Sequence, residues 1–261
     1  MKIPLYQVDA FTTKIFAGNP AAVCILEEWL EEPLLQSIAA ENNLSETAFL
    51  VERDGECEIR WFTPATEVAL CGHATLASAY VEFFCRAWPA QSIRFETRQA
   101  GPLTVTRRGE LLEMNFPARP PQASETPPVL GEILGVKPKQ VFTSAEDLLV
   151  VVEDETAVLQ ARPDFTALLN FKARGFILTA PGSRCDFVSR FFCPAVGVPE
   201  DPVTGSAHCV LIPYWSAMLG KKALHARQLS KRGGELWCRN EGERVTISGR
   251  AALYLEGTIV I

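Results

Sequence analysis

The sequence predicts an α+β protein of two similar domains, each a curved, mostly antiparallel sheet wrapped around one buried central helix. Three observations predict it. The hexapeptide Arg60-Trp61-Phe62-Thr63-Pro64-Ala65 returns as Arg190-Phe191-Phe192-Cys193-Pro194-Ala195, 130 positions later in a chain of 261. Each copy runs through a glycine (Gly72, Gly205) into a stretch with almost no polar face, as a helix buried on all sides must be. Around these stretches lie short segments rich in β-branched and aromatic residues, punctuated by Gly, Pro or Asn, which read as strands.

In the first copy the strands are Leu5 to Phe11, Ala21 to Leu26, Thr47 to Val51, Glu58 to Phe62, Ser92 to Glu96, Leu103 to Thr106 and Leu111 to Asn115. Pro33 to Asn42 places Leu34, Leu35, Ile38 and Ala39 on one stripe, an amphipathic helix lying on the outside. His73 to Phe84 is the buried helix of the first half, carrying Leu76, Ala77, Ala79, Tyr80, Val81 and Phe84. Its counterpart carries Ala207, Val210, Leu211, Ile212, Tyr214, Trp215, Met218 and Leu219 and stops at Gly220.

The offset of 130 also pairs Pro33 with Pro163 and Glu46 with Phe176. From Gly72 and Gly205 onward it becomes 133, pairing Gly101 with Gly234 and Ala118 with Ala251. A repeat of this length is a whole domain, not a solenoid unit. The step places three extra residues between Pro194 and Gly205, in a run that contains Asp201. Prolines 117, 120, 121, 127 and 128 mark a linker at Ala118 to Pro128. The expected domains are therefore 1–118 and 119–251, with 252–261 lying beyond the repeat and returning to complete the first.

Composition sets outer limits. With 48% apolar and 21% charged residues the chain reads as ordinary globular protein, and a net charge of −6 without a basic stripe argues against nucleic acid. No apolar run reaches the roughly 18–20 residues of a membrane span, and the first residues lack an apolar signal core, so a cytoplasmic location is expected. Eight scattered cysteines without a CxxC pair point to buried thiols, with no metal site or disulfide framework.

Both buried helices begin with a small residue and glycine, which leaves their first backbone N–H groups open to a carboxylate or phosphate. This marks Gly72, His73, Gly205 and Ser206 as candidate binding residues, although the glycines serve equally for tight turns and Ser206 for a helix cap. His73, in the first turn, is kept neutral by the helix dipole and reads either as a structural hydrogen-bonder or as a catalyst. Asp201 reads as a turn residue or as a catalytic acid. Glu46, at the junction of loop and apolar strand, reads as a surface carboxylate or as a general acid and base with a raised pKa.

Ala17-Gly18-Asn19-Pro20-Ala21-Ala22-Val23, Asn43-Leu44-Ser45-Glu46-Thr47-Ala48-Phe49, Cys71-Gly72-His73-Ala74-Thr75-Leu76-Ala77 and Glu200-Asp201-Pro202-Val203-Thr204-Gly205-Ser206-Ala207-His208 closely resemble the signatures of the phenazine-biosynthesis PhzF-like isomerase family. The resemblance covers the full length. It implies the diaminopimelate epimerase-like fold, an active site in the cleft between domains, and cofactor-independent isomerisation of a small carboxylated, cyclic amino acid-like substrate. It also implies that Glu46 moves the proton, that His73, Asp201 and Ser206 complete the site, and that the chain forms a homodimer. Two other readings stay open. One is a metabolite-binding protein without catalysis. The other is a thiol epimerase using Cys71, weakened because the counterpart residue before Gly205 is Thr204, which has no readily ionised proton.

Overall fold

The computed structural model describes residues 1–261 except Asp54 and Ala145. The chain divides into two compact units, Met1–Asn115 with Ser248–Ile261, and Phe116–Ile247. Each is α+β, with a mixed and mostly antiparallel sheet. The first unit holds β1 (Lys2–Ala10), β2 (Asn19–Leu26), α1 (Glu32–Asn42), β3 (Glu46–Arg53), β4 (Glu56–Phe62), β5 (Glu67–Val68), α2 (Gly72–Tyr80), β6 (Ser92–Thr97), β7 (Leu103–Arg108) and β8 (Leu111–Pro117). Strand β1 pairs antiparallel with β2, β2 parallel with β3, and β3 antiparallel with β4. Strand β4 takes β5 antiparallel and β6 parallel, and the antiparallel pairs β6–β7 and β7–β8 finish the series.

The second unit runs β9 (Gln122–Ser124), α3 (Leu130–Leu134), β10 (Gln140–Ser144), β11 (Asp147–Val151), α4 (Glu155–Gln160), α5 (Phe165–Leu168), β12 (Gly175–Pro181), β13 (Phe187–Cys193), β14 (Val198–Asp201), α6 (Gly205–Leu219), β15 (Ala223–Gln228), β16 (Gly234–Asn240) and β17 (Arg244–Gly249). The pairings from β10 to β16 repeat those from β1 to β7 in order and sense. The last strand, β18 (Ala251–Val260), pairs antiparallel with β1, just as β9 pairs with β10. So β18 does not lie outside the repeat, as the sequence suggested. Its counterpart β9 sits inside the proline-rich stretch expected to be only a linker.

The hexapeptide recurs because its arginine does the same work twice. Arg60, 2% exposed on β4, forks onto Glu67 through Nε and Nη2, each at 2.7 Å. Arg190 forks onto Glu200 at 2.7 and 2.9 Å. A bidentate pair uses the planar guanidinium fully, and each arginine also lies over a phenylalanine of its own strand, Phe62 or Phe192. The third contact differs. Arg60 reaches Glu32 in the first turn of α1, whereas Arg190 reaches the Val158 and Ala161 carbonyls at the end of α4.

Pairing registers correct two sequence-based equivalences. Phe62 faces Glu67 and Trp61 faces Val68; Phe192 faces Glu200 and Phe191 faces Asp201. The three extra residues therefore lie in the turn 193–199, which replaces the shorter turn 63–66, and Asp201 is no insertion but stands where the first unit has Val68. Likewise Thr47 pairs with Phe62 and Phe176 with Phe192, so the counterpart of Glu46 is Gly175 and not Phe176.

Gly175 is glycine for a steric reason. A Cβ there would lie 2.3 Å from Cζ of the buried Phe191 ring. Gly175→Ala is expected to cost about 1–3 kcal/mol, as overpacking does, read as a lower urea midpoint at unchanged slope.

Helix α2 buries every residue from His73 to Ala79 and packs on β1, β2, β3 and β18. It continues through a π-helical turn, Val81–Cys85, in which Val81, Glu82 and Phe83 are still buried but Phe84 is turned out to solvent, so the burial expected to Phe84 ends one residue earlier. Helix α6 is buried from Ala207 to Ile212 but leaves Met218 and Leu219 exposed before Gly220, whose left-handed φ of 65° closes the helix. On the outside, α1 lays Leu35, Ile38 and Ala39 against Cys24, Phe49 and Phe62. All eight cysteines are free thiols, six of them buried. Among the described residues no helix is long and apolar enough to cross a membrane.

Candidate functional site

In the first unit, strand β3 begins with Glu46 and helix α2 begins with Gly72 and His73, after Cys71 in extended conformation. Glu46 Oε2 lies 3.3 Å from His73 Nε2, within ion-pair distance though not aligned as a hydrogen bond. On the other side of the ring, Cys71 Sγ is 3.5 Å from Nδ1. His73 is buried, and loss of water pulls its pKa down to about 4, with a hydrogen bond to the Pro20 carbonyl pulling weakly the other way. The imidazole is therefore neutral at physiological pH, as the sequence suggested, although burial and not the helix dipole is the main cause.

Glu46, Cys71 and His73 place one potential ligand atom each within 4.8 Å of one another. Thiol, imidazole and carboxylate are zinc-type donors. The imidazole, however, stands between the other two and turns a different nitrogen to each, and one ring offers a given ion one nitrogen.

In the second unit the N-terminus of α6 is braced differently. Thr204, at the position of Cys71, donates its hydroxyl to Asp201 Oδ2 at 2.5 Å. Gln228, buried, accepts the Thr204 amide at 2.9 Å and donates to Thr204 Oγ1 and to the Asp201 carbonyl. Asp201 thus has a structural task at the helix entry, the turn role allowed by the sequence. Ser206, half-buried in the first turn, accepts from Arg174 Nη2 at 3.0 Å and makes no side-chain cap. His208 donates Nδ1–H to the Thr204 carbonyl at 2.8 Å, repeating the bond from Thr75 to the Cys71 carbonyl in α2, and is structural.

Each unit brings its own candidates together: Glu46, Gly72 and His73 in the first, Asp201, Gly205 and Ser206 in the second. Sequence reasoning missed Arg174, Asp147 and Gln228. Arg174 precedes the glycine that replaces Glu46, a signal visible only in the correct register.

Two sheets of one topology, each with a central helix opening on a glycine, define the class of two-domain epimerase-like α+β proteins. The chain belongs to the PhzC-PhzF family, described as phenazine biosynthesis-like protein, whose model matches residues 8–257. It is 54% identical over 260 residues to an uncharacterized isomerase of Pseudomonas aeruginosa, covering 99% of each chain. A crystal structure of a PhzF-family phenazine biosynthesis protein from Enterococcus faecalis superposes with a TM-score of 0.98 at 45% identity, covering 100% of both chains. A predicted epimerase of Pseudomonas aeruginosa shares the fold alone, with a TM-score of 0.74 at 19% identity over 99% of each chain.

Proposed function

We propose that this chain is an isomerase that moves a proton between carbons of a small carboxylated substrate, using Glu46 as its single acid and base and no cofactor. The observation that carries this is the Glu46 carboxylate set 3.3 Å from a buried, neutral imidazole. A neutral His73 does not neutralise the carboxylate, which remains able to accept a proton from carbon. After abstraction Glu46 is a carboxylic acid whose proton exchanges with water before a proton is delivered to a second carbon, so the net reaction is a shift with no redox change and solvent deuterium enters the product. Relatives named as isomerases support the class. The amide ends of α2 at Gly72 and His73 and of α6 at Gly205 and Ser206 are proposed to bind carboxylate, and Asp201 a polar substituent.

The test is incorporation of solvent deuterium into a panel of cyclic amino acids and related carboxylates, followed by mass spectrometry. Binding of a panel member with no deuterium uptake would favour a metabolite-binding protein instead.

The contact between Cys71 and His73 favours one competing reading, in which the thiol is the base and His73 its relay. Thr204, at the matching position, is tied to Asp201 and Gln228 and supplies no second acid. Cys71→Ser is accordingly expected to keep exchange within about threefold of wild type, since a true thiolate base would lose on the order of 100-fold or more. A loss of that size would transfer the role from Glu46 to the thiol.

A further inference from the structure

Arg174, at the end of the loop that enters β12, is held in one plane by two features. Asp147, 4% exposed, takes Nε at 2.9 Å and Nη2 at 2.5 Å. The Phe191 ring lies under the guanidinium, 5.4 Å from Cζ to the ring centre. That ring fits there because Gly175 has no Cβ. With Nη2 bonded to Asp147 through one hydrogen, its second hydrogen is left for Ser206 Oγ, 3.0 Å away.

The chemistry of the two groups fixes the direction of this bond. A guanidinium has only donors, so Ser206 Oγ accepts. A serine hydroxyl is otherwise free to act in either sense. Here a lone pair is occupied, and among the described residues its own proton has no protein acceptor. A hydroxyl that accepts a charge-assisted bond is also a stronger donor. The first unit has no such device, because the counterparts of Asp147, Arg174 and Ser206 are Ala21, Ser45 and His73.

We propose that Arg174, held by Asp147, is a positioning residue that commits the Ser206 hydroxyl to donate to a carboxylate oxygen at the N-terminus of α6. The proposal rests on the assignment of Ser206 to the substrate carboxylate. Arg174 acts through Ser206 and touches no reacting atom.

The probe is acetate, titrated at constant ionic strength into the full-length protein while the Gly205 and Ser206 amide signals are followed by NMR. Arg174→Met and Ser206→Ala are each expected to weaken acetate binding about tenfold, the loss of one hydrogen bond to a charged group. In the Ser206→Ala background, Arg174→Met should add less than about twofold, because the two act as one unit. Arg174→Lys, which keeps a donor but loses the fork, should fall between wild type and Arg174→Met. An equal effect of Arg174→Met in both backgrounds would overturn the proposal, since a guanidinium acting by charge or by holding the fold needs no hydroxyl; so would unchanged acetate binding in Arg174→Met. Should the single variant unfold, Arg174→Met with Asp147→Asn removes the charge pair together and gives the same comparison. If acetate moves neither amide in wild type, the carboxylate-binding role of Ser206 falls and the positioning role with it. Deuterium exchange by Glu46 is read separately and would stand.

Discussion

Glu46→Gln should lower the rate of solvent deuterium exchange by about 1000-fold, within the range that a positioned general base contributes. Glutamine keeps the length and volume of the side chain and an oxygen near His73, but an amide cannot take a proton from carbon. The variant should therefore unfold at the wild-type urea concentration, since Glu46 is half-buried at the mouth of β3 and anchors no hydrophobic core. Acetate binding should be retained or tightened, because a negative charge has been removed near the open end of α2. Glu46→Asp withdraws the carboxylate by one methylene from its place 3.3 Å from His73, and a displacement of that order is expected to cost about 100-fold. Exchange in Glu46→Gln at the wild-type rate would remove Glu46 from the reaction. A loss confined to KM, with kcat preserved, would make it a binding group.

The parts of this fold that sequence predicted are those set by local chemistry. Pro33 and Asn42 mark the ends of α1 to within a residue, Gly220 ends α6, and most strands of the first unit lie within two or three residues of expectation. Local pattern carries such boundaries because caps, turns and alternation act over a few residues. What it cannot carry is register. The counterpart of Glu46 is displaced by one residue from the constant offset, because the connection from β12 to β13 is one residue longer than that from β3 to β4. One residue is enough to hide Arg174, since a slip by one exchanges the two faces of a strand. Asp147 and Gln228 were hidden for another reason: each meets its partners from 27 or 24 positions away. The same duplication explains His208, whose bond to the Thr204 carbonyl repeats the bond that Thr75 makes to the Cys71 carbonyl in α2.

His208 should make the protein acid-labile well above the range in which carboxylates titrate. Burial without a neighbouring acid pulls its pKa down to about 4, whereas in the unfolded chain it protonates near 6.5. Between those values the unfolded state binds more protons than the folded one, so stability is fully present above about pH 6.5 and falls as pH drops towards 4. The difference corresponds to about 3 kcal/mol, a large share of the roughly 5–15 kcal/mol that holds a folded protein together. His73 has a similarly lowered value from burial, but an ionised Glu46 beside it would favour the imidazolium, so its share of the acid loss should be the smaller one. His208→Thr borrows the residue that the first unit uses at this position and keeps a hydroxyl able to bond the Thr204 carbonyl. It removes ring volume packed near Phe187, so the variant should begin less stable at pH 7.5, by about 1–3 kcal/mol. Yet it should lose about 3 kcal/mol less than wild type on going to pH 4, because nothing at that site then titrates. Urea unfolding at both pH values measures the two differences. Equal losses in wild type and variant would show that the acid transition belongs to other groups.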